Sequence, residues 1–360
     1  MKSRACLLLL LSAFLSLNPG AALSFETDQY NLSPVPLADI GEEVSEKTAE
    51  RLLLAAARLN AKIESHQACL TGGGSGKNRC EKKETEIQKL AFLRSDEGLA
   101  REVYDVLGAG GVFETDLGKW IRTHNFSHTP SRFKTGYGHS IYVLLPTNYL
   151  TISPTVRLYG AEFGTDKIDH FFQQGYQYSS IARKQIKRGL TMEQAEKKAV
   201  QWGQKTEQTY FGSWVSGVYS NADLFANYAG MRFYQGLTEK ITIDKRKFGP
   251  LFYLRDGYWN IAASGPNWKK NLLKPFITDH MNEALNPSGY SFLLFSSVKK
   301  MAVKYGCRDW LKEHPELRSA DYKSKTKSLE KWNGEDYGFV RKKRVILLGE
   351  LCFSEPSKTD

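Results

Sequence analysis

The densest polar run in this 360-residue chain is Gly-Ala-Glu-Phe-Gly-Thr-Asp-Lys-Ile-Asp-His-Phe-Phe at 160–172. Within it, Asp166 and His170 stand four residues apart, a spacing that puts both side chains on one face of a helix. A carboxylate placed there orients an imidazole and raises its basicity, as a general base or a metal-ligating histidine requires. Glu162 and Lys167 complete the constellation. A plainer account also exists. An acid at a helix N-terminus is favoured by the helix dipole alone, and His170 before Phe171 and Phe172 fits a hydrogen-bonded core histidine.

Further segments hold residues of the same kinds. Lys205-Thr206-Glu207 falls inside one predicted helix, and Ser220-Asn221-Ala222-Asp223-Leu224-Phe225-Ala226-Asn227 opens the next. Asp223 and Asn227 share a face, and Gly230 one turn later permits close helix approach. Taken singly, Ser220 and Asp223 need be no more than capping residues. Downstream, Asp279-His280-Met281-Asn282-Glu283 supplies two His–carboxylate pairs, either suited to a divalent ion or to an acid/base set with His170. The spacing is not that of a His-Glu-x-x-His zinc motif, and solvation of a helix end before Asn286-Pro287 is the plainer account.

Read in order, D-K-x-x-H-F, then a helix with K-x-E, then S-x-x-D-L-x-x-N-x-x-G resemble the VanZ-like superfamily, most of all its soluble envelope branch typified by the YfiM lipoprotein family. The resemblance covers 162–234, about a fifth of the chain. It implies that Asp166, Lys167, His170, Glu207, Asp223 and Asn227 are signature positions meeting where three helices pack, and that the protein works in the cell envelope. Tyr210, Phe211 and Trp214 stand where the family places another polar residue. The chain has no lipobox.

The elements that must position these residues follow from periodicity. Apolar residues at three- and four-residue steps predict a helix over 42–67 and another over 81–107, an N-terminal helical hairpin within 25–107. The segment 25–40 is expected to run extended over the surface. A strand is predicted at 141–145. Thr165 is placed as the cap of the helix carrying His170, Thr191 with Gln194 as a capping box for a helix through about residue 211, and Ser220 as the cap of a third helix ending near Gly236. These helices form the core at 160–236. In the mixed region 240–360, short strands or loops are expected at 248–261, helices at 272–285 and 292–305, and a final strand at 345–348. The expected class is mostly α: one compact helical domain over 25–360 with a central three-helix polar cluster.

The first 24 residues read as an export signal, with Lys2 and Arg4 before an apolar stretch and a small-x-small site at 22–24. Removing it lowers the formal charge from +11 to +9. No later stretch approaches the length of a membrane-spanning helix. Four cysteines remain, and the favoured pairing is Cys69–Cys80 with Cys307–Cys352, suited to an oxidising compartment, periplasmic or extracellular. No Cys-x-x-Cys pair supports a zinc site. The Gly-rich loop at 72–76 lacks the Gly-Lys-Ser/Thr of a phosphate-binding loop, and no Gly-x-Ser-x-Gly elbow occurs. Positive charge in an exported chain points to an anionic or lipid-derived envelope component, with no nucleic acid expected. Two classes stay open: a binding protein whose polar cluster fixes helix packing, or a hydrolase, possible with a divalent metal, in which His170 is base or ligand, Asp166 its orienter, Glu207 and Asp223 ligands or acid, and Lys167 with Asn227 stabilise negative charge.

Overall fold

The computed structural model describes residues 26–72, 80, 82–111, 114–209, 212–262, 265–315 and 317–353. The expected export signal lies outside them, as do Tyr210, Phe211 and most of the Gly-rich loop. About half of the chain is helical and the strands are short, in keeping with a mostly α class. Among the described residues no helix is long and apolar enough to cross a membrane.

The first part of the entry segment corrects the expectation that 25–40 runs extended over the surface, which holds around the exposed residues 34–36. Glu26, Thr27, Asp28, Gln29, Tyr30 and Asn31 are all buried. Strand β1 (Glu26–Thr27) pairs in parallel with β2 (Ile152–Ser153), tying the start of the described chain into the centre of the molecule. Helix α1 (Gly41–Leu70) buries Val44, Leu52, Leu59 and Ile63 along one stripe. The second arm of the hairpin is two helices, α2 (Lys83–Leu93) and α3 (Asp96–Leu107). Ser95 breaks it: its Oγ accepts the Gly98 N–H at 3.1 Å and starts a new helix, a local cap overriding the apolar period. The disulfides are Cys69–Cys80 and Cys307–Cys352, as favoured.

Helix α4 (Asp116–Thr123) and α5 (Pro146–Leu150) lead to the antiparallel hairpin of β3 (Thr155–Leu158) and β4 (Ala161–Gly164). The predicted strand at 141–145 is instead a run of turns, with Val143 N–H on the Ser140 carbonyl and Leu145 N–H on that of Tyr142. Helix α6 (Asp166–Asp169) passes through a π turn (His170–Gln174) into α7 (Gly175–Ile186). Thr165 does not cap it; the Thr165 hydroxyl instead accepts from the Arg122 guanidinium at 3.2 Å. Helix α8 (Met192–Gln208) opens on the expected Thr191–Gln194 capping box. After β5 (Val218–Tyr219), Ser220 caps α9 (Asn221–Gln235), as expected.

Glycines let α9 and the π turn nearly touch. A Cβ on Gly230 would lie 1.9 Å from the Phe171 carbonyl oxygen, and one on Gly175 would lie 2.6 Å from the Gly230 Cα. That contact fixes the depth at which His170 and Asn227 face each other.

The remainder carries the hairpins β6 (Ile241–Ile243) with β7 (Arg246–Phe248) and β8 (Phe252–Arg255) with β9 (Tyr258–Ile261). No α-helix forms over 272–285: Pro275 lacks a donor, and Asn282 Oδ1 takes the N–H groups of Ala284 and Leu285. β10 (Gly289–Tyr290) pairs antiparallel with β5. Then come α10 (Phe292–Met301), a second π turn (Ala302–Gly306), α11 (Cys307–Glu313), α12 (Ser319–Ser328) and α13 (Leu348–Leu351). The expected last strand reduces to one bridge, Val345 on Gly289. Two apolar cores result, one built on the helices from α1 to α9, the other around Tyr30, Tyr142, Val298 and Trp310.

Candidate functional site

Lys167 is wholly buried, and its Nζ lies 2.6 Å from Asp166 Oδ2, 2.7 Å from Asp223 Oδ1 and 2.6 Å from Glu283 Oε1. An ammonium has three N–H donors, and here three carboxylates stand around it. Each comes from a different place: Asp166 from the first turn of α6, Asp223 from the first turn of α9, and Glu283 from the turn that follows residues 279–281. Ser153 donates to Asp166 Oδ1 at 2.7 Å. Ser220 donates to Glu283 Oε1 at 2.9 Å while its oxygen accepts the Asp223 N–H at 3.1 Å. The α9 cap is therefore also part of the cluster.

Two more carboxyls surround this core. Glu207 Oε1 accepts the Ser220 N–H at 2.8 Å. Glu26, carried in by β1, accepts from the Tyr142 hydroxyl at 3.3 Å and lies in the field of Glu283 and Asp223. Sequence reasoning missed Glu26, Ser153 and Tyr142. No motif or period marks them, because each reaches its partner across the fold.

Protonation follows from burial and pairing. Desolvation would raise the Asp166 carboxyl, but the adjacent Lys167 ammonium and the Ser153 hydroxyl hold it below the ordinary range. Desolvation would likewise lower Lys167, yet the three carboxylates hold it well above the usual lysine value. Burial, against the pull of Lys167 and with the charges of Asp223 and Asp166 adding, raises Glu283 to about 7. Burial first and neighbouring carboxylates second push Glu26 and Glu207 well above the usual glutamate value. The centre thus holds a buried cation, with the balance at Glu26 and Glu207 shifted toward the neutral acid at its edge.

His170 stands beside this centre with 15% of its side chain exposed. Its Nδ1 is 3.0 Å from Asn227 Oδ1, and its Nε2 is 3.4 Å from Asp223 Oδ2. The structure therefore brings together all six residues expected from 166–227, with one change of partner. Asp166 does not hydrogen-bond His170; a desolvated ammonium next door takes the carboxylate, and α9 orients the imidazole instead.

The segment 279–283 is divided. Glu283 enters the cluster. His280 stacks on Phe225, its Nδ1 3.0 Å from Thr278 Oγ1 and its Nε2 3.0 Å from the Lys331 carbonyl, and burial lowers its pKa. Asp279 pairs with Lys325. Neither His–carboxylate pair expected from the sequence forms.

Asp166, Asp223 and Glu283 present ligand atoms within 4.8 Å of one another, the one such group among the described residues. The Lys167 ammonium stands between them, at the place a metal cation would take. These carboxylates fit a divalent ion only if Lys167 leaves. Glu162 and Asp279 face elsewhere, into a groove of about 530 Å³ lined also by Leu32, Val35, Trp310 and Tyr322. Comparisons with protein-family models, with curated proteins and with solved structures each find no match to this chain.

Proposed function

We propose that this is an exported binding protein of the cell envelope, related through 162–234 to the VanZ-like superfamily, that holds an anionic or lipid-derived component without turning it over. One observation carries the reading: Lys167, buried and protonated, is enclosed by three carboxylates. A protonated amine is no nucleophile, and its charge occupies the place a metal cation would take among the acids that hold it. The cluster joins the entry strand, the three helices α6, α8 and α9, and the 279–283 turn, which is a packing task. The net charge of +9 that remains without the first 24 residues, and the two disulfides, support an anionic partner in an oxidising compartment.

A second reading, hydrolysis at the His170–Asp223 pair, is favoured by the partial exposure of His170 and by Glu283 Oε2, a buried oxygen without a hydrogen-bond partner. The two readings part in one assay. Mature protein is mixed with polyphosphate and with phosphatidylglycerol vesicles, and both binding and release of phosphate or fatty acid are followed. Binding without release, unchanged in His170→Ala, supports the binding protein. Release abolished in His170→Ala, with the fold intact, overturns it.

A further inference from the structure

Large apolar side chains are exposed on segments that border the second core. Leu293 is 81% exposed, Phe292 73%, Leu144 67%, Leu150 66% and Trp214 62%. Backbone ties make their segments neighbours. The Ser291 N–H donates to the Gly217 carbonyl at 2.7 Å, joining the start of α10 to the loop bearing Trp214. Asn148 Nδ2 donates to the Ser216 carbonyl at 2.8 Å, joining α5 and Leu150 to that same loop. The Tyr290 N–H donates to the Arg344 carbonyl at 2.9 Å, and the Arg344 guanidinium lies over the Phe292 ring at 5.6 Å.

The four segments that meet here share a property no motif advertises. Residues 117–161, 208–222, 284–308 and 337–349 contain no Asp or Glu. They do contain Lys134, Lys299, Lys300, Lys342, Lys343 and Arg344. Along α10 the exposed face passes from Phe292 and Leu293 to Lys299 and Lys300. Lys134 lies over the Tyr149 ring at 5.3 Å, beside the exposed Leu150. Exposed Trp, Phe and Leu beside cations of acid-free segments match the two halves of an interfacial lipid layer, acyl chains below and anionic headgroups above.

We infer that the face bearing Leu144, Leu150, Trp214, Phe292 and Leu293, with Lys299, Lys300 and Arg344, docks on the surface of an anionic phospholipid bilayer. This rests on the proposed binding of an anionic envelope component and names where that happens. The apolar tips enter the headgroup–acyl boundary, and the cations meet the lipid phosphates. The cationic part of the attachment weakens with salt.

The test is co-sedimentation of the mature chain with mixed phosphatidylglycerol–phosphatidylcholine vesicles and with pure phosphatidylcholine. The variants are Phe292→Ser/Leu293→Ser and Lys299→Glu/Lys300→Glu, at exposed positions where folding is checked by thermal unfolding. The wild type is expected to bind the anionic vesicles preferentially, and each double variant to bind them about tenfold more weakly or worse with its melting temperature unchanged. Equal binding by wild type and both variants, or equal binding to the two vesicle types, overturns the proposal. Binding of polyphosphate but of neither vesicle also overturns it while leaving the broader function standing. Failure to bind polyphosphate and vesicles alike removes both.

Discussion

Lys167 Nζ meets Glu283 Oε1 at 2.6 Å across 116 residues of chain, and the same Glu283 oxygen accepts from Ser220, the cap of α9. One carboxylate oxygen thus receives a lysine ammonium from α6 and a serine hydroxyl from the start of α9. Removing the ammonium leaves three buried carboxylates facing one another. Lys167→Met is expected to lower stability by about 3–5 kcal/mol, read from denaturant midpoints, because an uncompensated buried charge costs far more than an intact pair returns. A loss within the range of an ordinary surface substitution would show that the cluster does not hold the helices together.

Glu283 makes stability depend on pH. Its carboxyl is raised by burial from 4.5 to about 7, so the folded state binds this proton more tightly than the unfolded chain. The stabilisation is complete below the ordinary glutamate value and is lost as pH rises through about 7. Glu26 and Glu207, also raised, add to the decline in the same sense. Asp166 is lowered and acts in the opposite sense, losing its contribution only in strong acid. Urea midpoints measured from about pH 5 to about pH 8 should fall in the wild type, and fall less steeply in Glu283→Gln.

Gly230→Ala places a methyl group 1.9 Å from the Phe171 carbonyl oxygen unless the helices part. Separation or strain at that crossing is expected to cost ~2 kcal/mol. It also draws Asn227 away from His170. Calorimetry reads the first effect. The second appears as a changed chemical shift of the His170 ring by NMR, which mere destabilisation elsewhere does not produce.

Cys307–Cys352 closes a separation of 45 residues, with Cys352 packed against the second core. Cys307→Ser/Cys352→Ser should lower stability by about 2–4 kcal/mol through greater freedom of the unfolded chain. The wild-type mature protein should show no titratable thiols until it is unfolded in reductant.

What could be read from the sequence was local. Ser220 as a cap, the Thr191–Gln194 box and the shared face of Asp223 and Asn227 each depend on residues within one or two turns, and spacing encodes them. Gly230 marked a close approach for the same reason. The partner of Asp166 was misread because i,i+4 spacing names a neighbour in space but not the winner of a competition. The fully desolvated Lys167 takes the Asp166 carboxylate, and the imidazole finds its partners on α9. Glu26 left no trace at all: it sits in a short polar segment without period, and its burial depends on pairing with residues 152–153. The break at Ser95 was hidden beneath a continuous apolar period, though Ser95 followed by Asp96 and Glu97 is itself a helix-start signal.

The most direct test is the metal content of the mature protein, purified without chelator, beside Asp223→Ala and Glu283→Ala. If Lys167 is the cation of this cluster, the wild type carries no stoichiometric divalent metal and both variants lose stability. One divalent ion per chain in the wild type, absent from both variants, would contradict that account and return the site to metal-assisted hydrolysis.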